Sequence, residues 1–521
     1  MKIPLTPIRC LQRGMDLYSR KTGIVCGKKK FTYAEFGDRC HRLAAALIRL
    51  GVQPADRVGY LSYNTHQLLE GYYGPLLARA IVMPLNVRLT PAELGAILLH
   101  SEPRVLFYED EFSPLIAQLR QISPSMVCIN LDSGYEDLLA QGNGEQVDIA
   151  SLDEDAIAEL FYTSGSTGTP KGVMLSHRTI YMHAMAVAGA FNHDDNGVEL
   201  HTIPLFHANG WGRPQTATMM GLRQVMVRRF DPAIVCRLIQ EERATAMSLV
   251  PAMANALLNF PDTERFDFSS LHQIHIGGAA ASPEMIQRLE RVFHCQVMAG
   301  YGLTETCPVA TSARKKGTVE YTGEQDRLNH LSMAGWPLPG TEVRVVDTEM
   351  KDVARDMSTV GEIVIAGDNV LDGYFREPEA TAAVMSGRWF HSGDMAVWDE
   401  DGYVHIVDRK KDIIISGGEN ISSIEVEKAI AAHTEVLETA VVGAPHPTWG
   451  EIPVAFVVCK PGSGLTEDAL RDFLALRLAK FKMPRQYEFV AGPLPKGGTG
   501  KILKRELRER FWEGKERRVQ G

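Results

Sequence analysis

The feature that most narrows the fold is an alternation of short apolar strand signals with longer helical ones along the first part of the chain. Residues 57–62 read as a strand and residues 66–80 as an apolar-rich helix, followed by a short strand over 81–85. A further helix is opened by Thr90-Pro91-Ala92-Glu93: Thr90 is the N-cap, Pro91 takes the first helical position and Glu93 completes a capping box. Residues 104–108 form the next strand. Strands alternating with helices imply parallel sheets with helices packed on their faces. No internal repeat or low-complexity segment interrupts the pattern.

A second tract starts near Asp408-Arg409-Lys410-Lys411-Asp412, five consecutive charged residues between strand-like stretches 403–407 and 413–415. They read as a charged turn or a hinge. The ~110 residues beyond suit one small α+β domain: helical over 423–432, strands over 438–442 and 454–459, helical over 467–479. Residues 504–518 read as a charge-rich helix or tail, a solvated face with transient contact to anionic lipid as its alternative.

At 521 residues the chain has room for two to four domains at roughly 150 residues each. Lys+Arg total 55 against 64 Asp+Glu, a net charge of −9, so the basic footprint of a nucleic-acid binder is missing. The eight cysteines contain no CxxC pair and are too dispersed for a disulfide scaffold or zinc knuckle, which points to buried thiols in a reducing compartment. Residues 1–20 lack the apolar core of a signal peptide. The uncharged stretch 244–261 carries Pro251, Asn255 and Asn259 and reads as a strand, a proline break and a helix rather than a span. A soluble cytoplasmic protein is expected.

The most informative segment is Tyr162-Thr163-Ser164-Gly165-Ser166-Thr167-Gly168-Thr169-Pro170-Lys171-Gly172. It follows a strand over 156–161 and precedes a second apolar run, 173–175. Backbone N–H groups, hydroxyls and one lysine together suit a polyphosphate. The loop is no Walker A sequence, because Lys171 stands between Pro170 and Gly172 rather than between Gly and Ser or Thr. Nor does Gly165-Ser166-Thr167-Gly168 have the spacing of a nucleophile elbow.

This segment resembles the phosphate loop of the adenylate-forming superfamily of acyl-CoA synthetases, peptide-synthetase adenylation domains and luciferases. Further matches follow in the family's order across about 31–508. They are Gly300-Tyr301-Gly302-Leu303-Thr304-Glu305-Thr306, the stretch 361–365 with Gly373-Tyr374, Ser392-Gly393-Asp394, residues 408–419, and Pro495-Lys496-Gly497-Gly498-Thr499-Gly500-Lys501. The resemblance implies an α/β fold: a large N-terminal domain (1–408) of parallel sheets flanked by helices, binding AMP and the acyl group. A hinge (409–411) would join it to a small mobile α+β domain (412–521) carrying a catalytic lysine.

It also implies roles. Lys501 would bridge the carboxylate and the α-phosphate, where two anions must meet and positive charge offsets their repulsion. Thr163, Ser164, Gly165, Ser166, Thr167, Gly168 and Lys171 would hold ATP phosphates. Glu305 would hold Mg²⁺ with Thr163 as protein partner. Tyr301 would lie on adenine beside Gly300 and Gly302, Thr304 at the α-phosphate, and Gly278, Ala279 and Ala280 along the adenine and acyl wall. Asp394 would accept both ribose hydroxyls, with Arg409 on ribose or phosphate. Lys411 stands at the hinge, and Ser416, Gly417 and Gly418 would face pantetheine.

The stretch Pro204-Leu205-Phe206-His207-Ala208-Asn209-Gly210-Trp211-Gly212 resembles that of bacterial medium- and long-chain fatty-acyl-CoA synthetases, with His207 beside the carboxylate and Trp211 closing an acyl tunnel. The expected activity is therefore an ATP-dependent fatty acid:CoA ligase releasing pyrophosphate, then AMP. Aryl or alicyclic acids, a separate carrier protein as acceptor, and a non-catalytic nucleotide- or lipid-binding protein stay open. No carrier domain is seen beyond about residue 518, favouring free CoA. A homodimer is expected from resemblance.

Overall fold

The computed structural model describes residues 3–142, 149–164, 170–191, 194–416, 419–496 and 502–512. It divides into two compact units. The first comprises residues 1–343, 364–391 and 401–403; the second takes residues 344–363, 392–400 and 404–521. The chain thus passes into the second unit's residues twice before 404, a finer division than a single break after 408.

The first unit contains a seven-stranded and a nine-stranded sheet. In the former, Ile81–Pro84, Arg57–Leu61, Val105–Tyr108 and Val127–Asn130 run parallel, as the alternation of signals requires. Beside them Ile157–Ser164 and Pro170–Ser176 form an antiparallel hairpin, paired from Ile157 with Ser176 to Ser164 with Pro170. Gly373–Tyr374 adds an edge strand on Val173 and Met174. The phosphate-loop segment therefore joins two strands of a hairpin, unlike the strand-to-helix turn of a Walker loop.

In the nine-stranded sheet Arg223–Met226, Val198–His201, Ala246–Leu249, Gln273–Ile276 and Gln296–Gly302 are successive parallel neighbours. Their near-continuous burial is that of a sheet covered on both faces. The stretch 244–261 resolves as expected: strand Ala246–Leu249, then helix Pro251–Leu258 opened by its proline.

Local signals decide the element ends. Thr90 Oγ1 accepts from Glu93 N (3.3 Å) while Glu93 Oε2 accepts from Thr90 N (2.7 Å), the expected capping box. The single helix expected over 66–80 is instead two, His66–Gly71 and Gly74–Leu77. Pro75 has no N–H to continue the first ladder and serves at the start of the second.

In the second unit Gly450–Cys459 is central, pairing antiparallel with Val436–His446 and parallel with Gln486–Phe489; Ile414–Ser416 and Glu419–Ile421 complete the sheet. Helix Ser423–Ala431 is capped by Ser422 and helix Glu467–Ala475 by Thr466. The basic C-terminal segment is more than a solvated face. Within helix Lys504–Trp512, Leu507 is buried in an apolar cluster with Val442 and Phe456, Lys504 pairs with Glu427 (2.7 Å), and Trp512 Nε1 donates to Gly443 O (2.9 Å).

All eight cysteines are free thiols. Among the described residues no helix is long and apolar enough to cross a membrane.

Candidate active site

Parallel strands end in a row along one edge of the nine-stranded sheet, the place where open α/β sheets bind ligands. From that edge leave His207 after Val198–His201, the turn Gly277-Gly278-Ala279-Ala280 after Gln273–Ile276, and Tyr301 to Glu305 from Gln296–Gly302 onward. Gly278, Ala279 and Ala280 are exposed, Tyr301 and Glu305 half-buried, and Thr304 buried at the head of a 3₁₀ turn.

Residues 208–212 form a left-handed turn, with φ of 43° at Ala208, 40° at Asn209, 58° at Gly210, 63° at Trp211 and 71° at Gly212. Each non-glycine residue held there costs about 1–2 kcal/mol, so the packing must impose it. At Gly212 a Cβ would stand 2.3 Å from His183 Cε1, which leaves glycine as the residue that fits. His183 is fully buried and accepts from Val309 N through Nε2 (3.1 Å); burial lowers its pKa to about 3, so the ring is neutral. The turn sets the Trp211 indole against the glycine turn: a Cβ on Gly277 would lie 3.1 Å from Trp211 Cη2. His207, half-buried, precedes the turn with its N–H on Pro204 O (3.0 Å).

The phosphate-loop hairpin meets Glu305 through Tyr374. Tyr374 Oη donates to Glu305 Oε1 (3.0 Å), and Lys171 Nζ lies 4.8 Å from the centroid of the Tyr374 ring. The edge strand Gly373–Tyr374 and a bond from Leu371 N to Glu305 O (2.8 Å) hold this arrangement. An ammonium over an aromatic face and an oriented carboxylate thus stand beside Thr163, which pairs with Lys171 across the hairpin. Hard oxygen donors of this kind fit Mg²⁺.

In the second unit the segment around Asp394 pairs antiparallel with Val404–Arg409, putting Asp394 opposite Arg409. The buried Asp394 carboxylate receives Arg409 Nε (3.1 Å), and Glu362 holds Gly393 N (3.1 Å) and Lys410 Nζ (3.1 Å). Lys411 follows on the exposed surface; Ser416 is buried at a strand end, opposite Glu419.

Several expected residues fall outside the described ones: Lys501, Gly165, Ser166, Thr167, Gly168, Gly417 and Gly418, together with the Ser164 side chain. Two residues that brace these segments, Tyr374 on Glu305 and Glu159 on Asn209 and Gln215, carry no expected role from the sequence. Tyr374 was visible only as half of a Gly-Tyr motif. Glu159 is the one charged residue of the strand Ile157–Ser164.

Residues 11–375 match the family described as AMP-binding enzyme, and residues 425–501 match the AMP-binding enzyme C-terminal domain. The chain belongs to the AMP-binding enzyme family. It is 36% identical to the peroxisomal butyrate–CoA ligase AAE11 of Arabidopsis thaliana, over 97% of this chain and 93% of that protein. It is also 36% identical to a long-chain-fatty-acid–CoA ligase of Thermus thermophilus (96% and 94%), and 34% identical to the peroxisomal benzoate–CoA ligase of Arabidopsis thaliana (97% and 93%). The crystal structure of ATP-bound MatB from Rhodopseudomonas palustris superposes with a TM-score of 0.87 at 28% identity, covering 98% of this chain and 99% of that one. This member of the family is an AMP-forming acid:CoA ligase with ATP and CoA as substrates and Mg²⁺ as the usual metal.

Proposed function

We propose that the acid is a medium- or long-chain fatty acid, bound with its carboxylate at His207 and its chain behind Trp211. The observation that carries this reading is the left-handed turn that lays Trp211 on Gly277 and Gly278, where the indole would cover an apolar tail. Each buried CH₂ would add about 0.8 kcal/mol.

In the first half-reaction a carboxylate oxygen attacks the α-phosphorus, the α–β P–O bond breaks and pyrophosphate leaves. Lys501 offsets the repulsion between the two anions. Glu305 and Thr163 would hold Mg²⁺, which neutralises phosphate charge when bound. Thr163, Ser164, Gly165, Ser166, Thr167, Gly168 and Lys171 cradle the phosphates. Tyr301 stacks on adenine and Asp394 accepts the ribose hydroxyls with Arg409 beside it. In the second half-reaction the CoA sulfur attacks the acyl carbon, the thiol proton goes to solvent and AMP departs. A hinge at 409–411, centred on Lys411, lets residues 412–521 exchange Lys501 for the segment Ser416-Gly417-Gly418.

A second reading, an aryl acid, is favoured by the similarity to a protein named benzoate–CoA ligase. Assaying ATP, CoA and a panel from butyrate to octadecanoate alongside benzoate and cinnamate tests both. Turnover of benzoate with none of the saturated chains would reject the fatty-acid reading. Light scattering tests the expected homodimer: a monomer would refute it.

A further inference from the structure

Glu159 lies in the middle of Ile157–Ser164, the strand that leads into the phosphate loop, on the same face as Phe161 and Thr163. It is 0% exposed and, among the described residues, has no cation against it. Its partners are two amides from the acyl-site segment: Asn209 Nδ2 donates to Oε2 (3.0 Å) and Gln215 Nε2 to Oε1 (2.9 Å). Asn209 is the second residue of the left-handed turn, and its own Oδ1 accepts from Gly212 N (2.5 Å), closing the turn from within. Gln215 lies in helix Arg213–Met220, which continues from it. One buried carboxyl therefore grips both the strained turn and the helix after it.

We propose that Glu159 is a positioning residue for acid recognition, anchoring the turn 208–212 so that His207 and Trp211 are held where the acid binds; this rests on the reading that places the acid at those two residues. A buried carboxyl among neutral groups is costly, and the apolar stretch around Glu159, with Ala158, Leu160 and Phe161 buried beside it, would be more stable without one. Its presence is explained by the turn: left-handed backbone at Ala208, Asn209 and Trp211 persists only where the surroundings over-determine it. Burial raises the Glu159 pKa to about 8, so the group keeps its proton at neutral pH. Among the described residues Gln215 Oε1 has no hydrogen-bond partner, and it accepts that proton after a half-turn of its amide. Glutamine at 159 reproduces this pattern, with Nε2 donating where the acid's O–H would. An apolar residue at 159 reproduces none of it.

The test compares Glu159→Leu with Glu159→Gln, measuring KM for acid and for ATP separately in acid-dependent ATP–pyrophosphate exchange. The protein carries 5-fluorotryptophan, and the Trp211 resonance is assigned by its loss in Trp211→Phe. A one-ångström misplacement can cost 10²-fold, so Glu159→Leu is expected to raise the acid KM at least about tenfold with the ATP KM unchanged. The Trp211 fluorine resonance should move with it, and Glu159→Gln should restore both. Should Glu159→Leu fail to fold, Asn209→Gly, which tolerates the left-handed backbone but releases Glu159, is expected to give the same signature. An unmoved Trp211 resonance, or acid and ATP KM rising together, overturns the proposal. A moved resonance with an unchanged acid KM leaves Glu159 as the anchor and refutes the placing of the acid at His207 and Trp211.

Discussion

Replacing Tyr374 by phenylalanine removes one hydroxyl and little else. The ring stays beneath Lys171 Nζ, 4.8 Å from its centroid, so the cation–π contact survives. What disappears is the 3.0 Å bond to Glu305 Oε1. A hydrogen bond to a charged acceptor contributes about 1.5–3 kcal/mol. Glu305 is half-buried, so solvent screening puts this bond at the low end, about 1.5 kcal/mol, or tenfold in an equilibrium constant. Loss of a group that orients a metal ligand costs 10–100-fold in metal affinity, and the two figures meet near tenfold. The assay is acid-dependent ATP–pyrophosphate exchange against free Mg²⁺ at saturating ATP and acid. The half-saturating Mg²⁺ concentration should rise about tenfold with the acid KM unchanged. An unchanged Mg²⁺ dependence would refute the reasoning, either because Glu305 is no metal group or because Tyr374 does not orient it.

Lys501→Ala should lower acid-dependent exchange by orders of magnitude while thioester formation from supplied acyl-AMP survives, as single-turnover measurements of each half-reaction would show. Gly277→Ala puts a methyl 3.1 Å from Trp211 Cη2, so kcat/KM should fall for bulky acids and least for the smallest in a panel. The raised pKa of Glu159 has a defined sign. With a folded value of about 8 above the unfolded value near 4.5, the folded protein holds a proton the unfolded chain has released. Stability from this group is therefore complete at low pH and is lost as pH rises through that window. The Tm of the wild type should fall relative to Glu159→Gln between about pH 5 and 8 and level off above, whereas parallel Tm curves would remove the shift.

What could be read from the sequence was mostly what is local. The Thr90 capping box lies within four residues, and the proline break at Pro251 and the strands 57–61 and 105–108 are set by composition and period. The helix over 66–80 was overextended because its apolar run hid the break that Gly74 and Pro75 impose. The C-terminal helix looked solvated because its charges outnumber Leu507 and Trp512, the residues that dock it. The motif residues Thr163, Tyr301, Glu305 and Asp394 are named by resemblance, each from a few contiguous residues. Their supports are not: Glu159 and Asn209 are 50 residues apart, Tyr374 and Glu305 are 69 apart, and only the fold brings each pair together.

The central claim is that a carboxylate oxygen of the acid attacks the α-phosphorus of ATP. Supplying the acid with both carboxyl oxygens as oxygen-18 and analysing the nucleotide product by mass spectrometry tests it directly. The account predicts AMP carrying one oxygen-18 atom, released with unlabelled pyrophosphate. Formation of ADP, or of AMP without the heavy oxygen, would contradict it.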